Sequence, residues 1–372
     1  MSAYLDARLG RIYDWMAREG TALAMFEDSE GHRDPSIRWL TGHPGDALLF
    51  LSVDRKAALV PWDNNMAALY AEADAIIPYG EFERQPMKAL KGIARYLKLP
   101  RGSKVEISPE TSYTSFLRYI EEVSDYDILC RSGGVHEEVR QMRCVKDEEE
   151  IRIYREAAAI TNDLMDQIEA RVRQEKFRTE TDVALFIEVE SRKRGCEGTG
   201  FETLAAGPGR SFGIHAFPAY TDAPFASQGL SILDFGLRYQ GYTTDVTMTF
   251  AREPSKPQER LLNLTERAYK LALTLVGEGI STRAVSVAVD ELFTKNRKIM
   301  PHALGHGIGL ETHEGPYLRS RADNTGSLGA GMIFTLEPGL YDPVHGGCRL
   351  ENDVLVTGGG VEVLTSSRIV RL

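Results

Sequence analysis

The 372-residue sequence has few cysteines, a deficit of basic residues and no long apolar run. Its 4 cysteines lie far apart with no Cys-x-x-Cys pair, which excludes a disulfide-stapled fold and a thiolate zinc site. Apolar stretches such as residues 47–53 are far shorter than the ~20 residues that span a bilayer. Asp6 interrupts the apolar segment that a signal peptide requires, so we expect a cytoplasmic protein.

The net charge of the chain disfavours two classes of binding partner, nucleic acids and anionic membranes. The 44 Lys and Arg residues against 54 Asp and Glu residues give a formal charge of −10. This charge works against non-specific binding to nucleic acid or to an anionic membrane. With 42% hydrophobic and 26% charged residues, the chain has the composition of an ordinary globular protein. At roughly 100–200 residues per domain, the length indicates two domains.

The first third of the sequence alternates helical and strand patterns, which predicts an α/β domain. The predicted helices cover residues 5–20, 66–73, 87–97 and 114–123, and the predicted strands cover residues 47–53, 57–61 and 105–108. The polar turn at residues 62–65 follows a strand. It is either a plain helix start or a lip over a neighbouring site.

The pattern breaks near residues 132–134, and we place a domain boundary near residue 140, which gives domains 1–140 and 141–372. Asp147 and Glu150 then form a capping-box-like start to a long helix. Two more amphipathic helices are predicted at residues 259–276 and 284–295, apart from Gly-rich strand and hairpin segments. Because helices and antiparallel strands mix without regular βαβ alternation, the chain is predicted to be α+β.

Residues 230–250 contain two strand-like runs joined by a short turn, and each run carries an aspartate. With the turn centred on Tyr239 and Gln240, Asp234 lies opposite Asp245, at a Cβ separation of about 5 Å. The pair is either an exposed polar face or a site. Two like charges on an apolar hairpin are unfavourable unless they share a proton or bind a cation.

A second hairpin repeats this arrangement. Strand-like segments 333–338 and 348–356 flank residues 339–347, and a turn centred on Val344 places Glu337 opposite Glu351. Two acidic hairpins on either side of a histidine-rich segment indicate a site rather than two exposed faces. Four converging carboxylates are balanced in full by two divalent cations, whereas one cation leaves a buried excess of negative charge.

The segment between the hairpins contains His302, His306 and His313. Three interspersed glycines disfavour the helix that the i,i+4 spacing of His302 and His306 would need, so a strand or extended turn is predicted. On a strand these two histidines share a face, whereas His313 points the other way unless the chain bends. Four carboxylates with one imidazole, that of His306, suit Mn²⁺, Co²⁺, Fe²⁺ or Zn²⁺ rather than Cu⁺.

Two more residues are candidates for this site. His215 lies in a Gly- and Pro-rich loop just before the first acidic strand, where it is either a surface histidine or part of the site. Arg349 lies two residues before Glu351 and on the same strand face. It can orient that carboxylate, contact a substrate anion or form an ion pair without a catalytic role.

Five motifs follow one another in order along residues 145–372, and they read DFG, GYTTDVT, HALGHGIGLETHE, TLEPG and GGCRLEN. The set resembles the motifs of the pita-bread metallopeptidases, which include aminopeptidase P, prolidase, methionine aminopeptidase and creatinase. Residues 37–42 (IRWLTG) are similar to the creatinase-type N-terminal domain, which favours the prolidase and aminopeptidase P branch. The resemblance implies a pita-bread catalytic domain preceded by a smaller α/β domain.

The resemblance also implies a centre of two divalent metal ions, with Mn²⁺ as the first choice and Co²⁺, Zn²⁺ or Fe²⁺ as alternatives. All five implied ligand positions carry the expected residue type, which disfavours a creatinase-like, metal-free reaction. Asp245 and Glu351 would bridge the two metals, and Asp234 would bind one of them bidentately. The full implied ligand set is Asp234, Asp245, His306, Glu337 and Glu351.

The remaining roles are likewise implied by the resemblance. Glu337 would also carry the proton from the nucleophile to the leaving amine, while His313 and His215 would donate hydrogen bonds to the intermediate or to the substrate. His302 and Arg349 would contact the substrate.

The chain departs from the family pattern at two positions. Asn352 stands where an aspartate is common, and Met248 stands where an arginine is common. Both positions concern substrate preference rather than metal binding.

The function implied by the resemblance is hydrolysis of Xaa-Pro bonds in small peptides, of prolidase or aminopeptidase P type, by a hydroxide that bridges two metals in a homodimer. Proline gives this reaction a physical rationale, because its tertiary amide lacks the N–H that other proteases grip. The alternative is a small-molecule amide hydrolase or lyase on the same scaffold. A non-catalytic binding protein would lack ligands and carry a basic extension, and the sequence shows neither.

Overall fold

The structure is a computed structural model that describes residues 2–372. The chain forms two compact units, the first ending at Met142 and the second covering Arg143–Leu372. Helices and antiparallel hairpins are mixed in the second unit, which confirms the predicted α+β class. Among the described residues, no helix has the length and apolar character needed to cross a bilayer.

The first unit is built on a six-stranded mixed sheet. Its strands are β1 (Leu23–Asp28), β2 (Ala47–Ser52), β3 (Lys56–Pro61), β4 (Ala75–Ile76), β5 (Lys104–Glu106) and β6 (Asp127–Leu129). They lie in the order β4-β3-β2-β1-β5-β6, with β1 antiparallel to β2 and parallel to β5. The helices are α1 (Ala3–Glu19), α2 (Ser36–Thr41), α3 (Asn64–Tyr70), α4 (Pro86–Tyr96), α5 (Tyr113–Glu122) and α6 (Val135–Arg143).

The polar turn at residues 62–65 is the start of α3. The Asp63 side chain accepts hydrogen bonds from the backbone N–H groups of Asn65 and Met66, which satisfies two of the donors that a helix start leaves unpaired. The sequence pattern does not indicate β1 or α2. Strand β1 is buried along most of its length, so it lacks the alternation of a half-exposed strand, and α2 has only 6 residues.

The second unit contains four helices and a set of short strands within the described residues. The helices are α7 (Glu148–Arg173), α8 (Glu180–Lys193), α9 (Lys256–Leu275) and α10 (Thr282–Lys295). The strands are β7 (Gly198–Thr199), β8 (Leu204–Ala206), β9 (Gly229–Phe235), β10 (Leu237–Tyr239), β11 (Tyr242–Thr243), β12 (Val246–Arg252), β13 (Gly305–Gly307), β14 (Glu314–Leu318), β15 (Ile333–Leu336), β16 (Gly339–Asp342), β17 (Gly346–Arg349), β18 (Asn352–Thr357), β19 (Gly360–Val363) and β20 (Ile369–Arg371).

Two helix-covered sheets with separate hydrophobic cores make up most of this unit. In the α7–α8 half, apolar residues of both helices pack on the sheet β20-β12-β9-β8. In the α9–α10 half, the helices pack on the sheet β14-β13-β15-β18-β19. Alternation along the strands sends polar side chains to the opposite face: Leu233 and Phe235 enter the first core, and Asp234 between them does not.

The first acidic hairpin has a different register from the one predicted. Asp234 pairs with Thr247, not with Asp245. The turn lies one residue further along, at Gln240 and Gly241, whose φ angles of 48° and 88° are those of a type I′ turn. A shift of two in register keeps every side chain on its face, so the two aspartates are diagonal neighbours instead of direct ones.

The second acidic hairpin has the predicted register, but longer strands. Leu336 pairs with Asn352 and Gly339 pairs with Arg349, so Glu337 and Glu351 lie opposite each other between these pairs. Residues 339–342 and 346–349 are paired as β16 and β17. The turn therefore comprises residues 343–345 and is centred on Val344, as predicted.

Candidate metal centre

The polar faces of the two sheets enclose a cavity of about 570 Å³ in the second unit. All nine side chains singled out from the sequence line this cavity: His215, Asp234, Asp245, His302, His306, His313, Glu337, Arg349 and Glu351. The fold thus brings together residues that lie up to 136 positions apart in the chain.

The two halves of the unit meet at the base of the cavity. Thr247 of β12 forms a backbone bridge with Glu351, and the Thr247 hydroxyl donates a 2.6 Å hydrogen bond to Glu351 Oε2. The Thr249 hydroxyl also donates to the Arg349 carbonyl at 2.7 Å. Because of these contacts, the acidic residues of one half face those of the other.

Asp245, His306 and Glu351 form a group that can hold a cation. Each offers one ligand atom, these atoms lie within 4.8 Å of one another, and all three residues are buried. Glu337 is adjacent, with its Oε1 3.6 Å from His306 Nε2. Asp234 lines the same cavity but forms an ion pair with Arg349.

The electrostatics of the metal-free cavity favour cation binding. Burial first, and then the neighbouring Glu351 charge, hold the pKa of Asp245 and of Glu337 well above the usual carboxyl range. Burial and Asp234 raise the pKa of Glu351 to about 7. Asp234 Oδ1 and Asp245 Oδ1 are buried without a hydrogen-bond partner. Buried acceptors of this kind are costly unless a proton or a cation occupies the space between them, so the residues present fit a metal centre.

Arg349 lies at the cavity among carboxylates and hydroxyl groups. Its guanidinium is buried, pairs with Asp234, donates to the Thr247 hydroxyl at 2.9 Å and lies 3.8 Å from Glu351 Oε2. It also donates to the Tyr341 hydroxyl at 2.8 Å. Of the three sequence-based alternatives for Arg349, this geometry favours orientation of the acidic ligands.

The four histidines occupy different parts of the cavity. His306 is buried, and burial followed by the nearby His313 lowers its pKa to about 4, so it is neutral and able to bind a metal near pH 7. The chain bends after His306, and the His313 ring packs 4.3 Å from the His306 ring, centroid to centroid. His302 Nδ1 lies 3.9 Å from Glu337 Oε2. His215 and His313 are exposed toward the cavity.

Two contributors to the site do not stand out in the sequence. Tyr341 contacts both Arg349 and His302, with 3.0 Å between its hydroxyl and His302 Nε2. Thr247 contacts Arg349 and Glu351. Strand alternation could have found both, because Thr247 lies two residues after Asp245 and Tyr341 lies four residues after Glu337.

We expect metal affinity to rise with pH between about 5 and 7. The carboxyl groups with raised pKa values hold protons in the metal-free protein and must release them to bind a cation. Each released proton increases the apparent association constant about tenfold per pH unit below its pKa. Titration calorimetry with Mn²⁺ in two buffers of different protonation enthalpy measures the protons released. A pH-independent affinity with no proton release would contradict the burial of these acids.

Comparison with known families gives a match over most of the second unit. Residues 152–358 match the family described as metallopeptidase family M24. An uncharacterized peptidase of Methanocaldococcus jannaschii is 31% identical over 256 residues, which covers 68% of this chain and 70% of that protein.

Solved structures with similar folds extend over both units. An X-Pro aminopeptidase from Thermotoga maritima aligns with a TM-score of 0.85 at 26% identity, covering 98% of this chain and 99% of the other. An Xaa-Pro dipeptidase from Bacillus anthracis aligns with a TM-score of 0.84 at 25% identity, covering 99% and 100% of the two chains. Both units therefore have the folds that the sequence motifs predict.

Proposed function

Because the chain belongs to metallopeptidase family M24, we propose that it hydrolyses Xaa-Pro bonds of small peptides with two divalent metal ions in the cavity of its second unit. The observation that carries this proposal is the convergence of the four carboxylates and four histidines singled out from the sequence on one cavity. The neighbouring structures named as an X-Pro aminopeptidase and an Xaa-Pro dipeptidase support the choice of substrate.

The proposed ligands come from both halves of the unit. Asp234 and Asp245 lie in the α7–α8 half, and the other three lie in the α9–α10 half, namely His306, Glu337 and Glu351. When bound, two such metals lower the pKa of a water and polarise the scissile carbonyl. We propose Mn²⁺ as the resident metal, since oxygen-rich sets with one imidazole suit it.

The remaining roles follow from where each side chain lies. Glu337 faces the cavity and its pKa is raised by burial, so its carboxyl group can hold a proton and pass it to the leaving amine. His313 and His215 are exposed toward the cavity and can donate hydrogen bonds to an oxyanion or to the peptide backbone. Arg349 pairs with Asp234 and approaches Glu351, and these contacts would keep both carboxylates oriented for binding a metal.

A substrate panel with Mn²⁺-loaded protein tests the specificity. Xaa-Pro dipeptides, Xaa-Pro-Xaa tripeptides and matched peptides with alanine in place of proline are compared by kcat/KM. We expect a preference for proline of about 100-fold or more, because a shaped pocket distinguishes substrates on this scale. The ratio of dipeptide to tripeptide cleavage separates the prolidase type from the aminopeptidase P type.

Two outcomes would overturn the specificity. Equal cleavage of the alanine peptides would leave a general peptidase, and no peptide cleavage with both metals bound would favour a small-molecule amide hydrolase or lyase. We also propose that the protein acts as a homodimer, on the strength of the resemblance alone.

A further inference from the structure

Two histidines that are not proposed metal ligands, His215 and His313, are exposed toward the cavity. Each lies on a loop that is held by a buried glutamate. The first histidine loop, residues 207–221, carries His215, and the second histidine loop, residues 307–314, carries His313. The glutamates are Glu180 and Glu314, and both are buried. Neither of them lines the cavity, so any influence on the reaction acts through the loops.

Glu180 ties together the two ends of the first histidine loop. Its Oε1 accepts a 2.7 Å hydrogen bond from the Gly207 N–H, and its Oε2 accepts from the N–H and the hydroxyl of Thr221 at 2.8 and 2.7 Å. The loop between these anchors spans His215. Because both carboxylate oxygens accept hydrogen bonds, Glu180 fixes the position of Gly207, directly after β8, and that of Thr221 at the other end of the loop.

Glu314 lies at the end of the second histidine loop and anchors it to buried cations outside the loop. It pairs through its backbone with Gly307, the residue after His306. Its carboxylate accepts 2.7 Å hydrogen bonds from Lys146 Nζ and from Arg143 Nη2. Lys146 and Arg143 are themselves buried, with side chains 1% and 3% exposed.

The inside of the second histidine loop is filled by this ion cluster. A Cβ atom at Gly309 would lie 2.4 Å from Glu314 Oε1 and 3.2 Å from Lys146 Cε. The Gly309 carbonyl accepts a 2.7 Å hydrogen bond from the Thr243 N–H. The chain between His306 and His313 therefore closes around the cluster, with the His313 ring against the His306 ring.

Stability alone does not account for these charges. Buried charges are often no more stabilising than well-packed apolar side chains, and in some proteins they serve instead to fix the geometry of the groups that they join. We propose that Glu180 and Glu314 are positioning residues, which set the His215 and His313 imidazoles, respectively, at the cavity. The kinetic part of this inference rests on the proposed function, and its structural part does not.

The kinetic test uses Glu180→Gln and Glu314→Gln, each alone and combined with His215→Ala or His313→Ala. Each glutamine variant should lose about 10- to 100-fold in kcat, the usual scale for outer-shell partners, with a KM change of less than about threefold. Glu314→Gln should have no further effect in the His313→Ala background and its full effect in the His215→Ala background. Glu180→Gln should show the reverse pattern.

The matched control is Glu150→Gln. Glu150 is another buried glutamate of the same unit, and it accepts hydrogen bonds from Asp147 N–H and the Tyr242 hydroxyl at the start of α7. It holds neither histidine loop, so kcat should stay within about twofold of the wild type. An equal loss of kcat in this variant would mean a general structural effect and would overturn the proposal.

Amide hydrogen exchange tests the positioning without any peptidase assay. Glu180→Gln should speed exchange within residues 208–220 only, and Glu314→Gln within residues 308–313 only, at unchanged Mn²⁺ content. If Glu314→Gln does not fold, Lys146→Met takes its place. This variant removes one of the two cationic partners of Glu314 and should also speed exchange in the second histidine loop. Wild-type exchange in both loops would overturn the positioning, whereas a wild type that cleaves no peptide would overturn only the proposed function.

Discussion

Replacing Asp245 by asparagine should reduce peptidase activity by a factor on the order of 10³ or more and lower the bound metal. The change keeps the volume of the side chain and removes its charge. Asp245 belongs to the compact ligand group with His306 and Glu351, and it is the one aspartate of that group. Among the described residues, Asp245 is the one member of this group that comes from the α7–α8 half. The substitution therefore removes the negative charge that this half contributes to the group.

Metal content by mass spectrometry and kcat on an Xaa-Pro peptide measure this effect together. Asp290→Asn is the matched control, because Asp290 lies on α10 and does not line the cavity. An Asp245→Asn protein that keeps both its metal and its activity would show that the catalytic centre lies elsewhere.

Removal of metal should abolish activity altogether, and Mn²⁺ or Co²⁺ should restore it. The cavity is lined by five carboxylates, the four proposed ligands and the exposed Glu202, but by no lysine, and its one arginine is already paired with Asp234. Without a cation, burial and the neighbouring Glu351 charge raise the pKa of Asp245 and of Glu337 well above the usual carboxyl range. Carboxyl groups alone supply neither the strong nucleophile nor the electrophile that hydrolysis of an amide needs, and bound metal ions would supply both.

The experiment is dialysis against a chelator followed by stepwise addition of metal, with kcat recorded at each metal-to-protein ratio. A plateau at two equivalents would support the proposed pair of ions, and a plateau at one would contradict it. Circular dichroism of the chelated protein serves as the control for folding. Full activity in excess chelator would refute the metallopeptidase reading of the cavity.

Strand alternation and hairpin geometry are enough to predict from the sequence that the acidic residues of the site lie together. The opposition of Glu337 and Glu351 follows from a turn centred on Val344, and the structure has that register. The pairing of Asp234 with Asp245 was wrong by two residues, because the type I′ turn at Gln240 and Gly241 was placed one residue too early. The aspartates still face one cavity, since an error of two preserves the strand face.

Long-range contacts set the limit of such reasoning. No local pattern indicates that Arg349 pairs with Asp234, 115 residues away, or that Glu314 reaches back to Lys146, 168 residues away. Periodicity reports which face of an element is buried and says nothing about which distant charge it meets. Helix α8 is also absent from the sequence prediction, although Thr179 and Asp182 form a capping box at its start.

The backbone bridge between Thr247 and Glu351 joins the two halves of the second unit beside the proposed metal ligands. Substitutions in either half can therefore affect metal binding as well as the stability of the unit. Its two halves have separate apolar cores, and ions bound between them would act as a crosslink. Binding and folding are then thermodynamically linked, with about 2.7 kcal/mol gained at a free metal concentration one hundred times the dissociation constant. By the same linkage, a substitution that loosens α9 or α10, far from any ligand, would appear first as a weaker hold on the metal and only later as an unfolded chain.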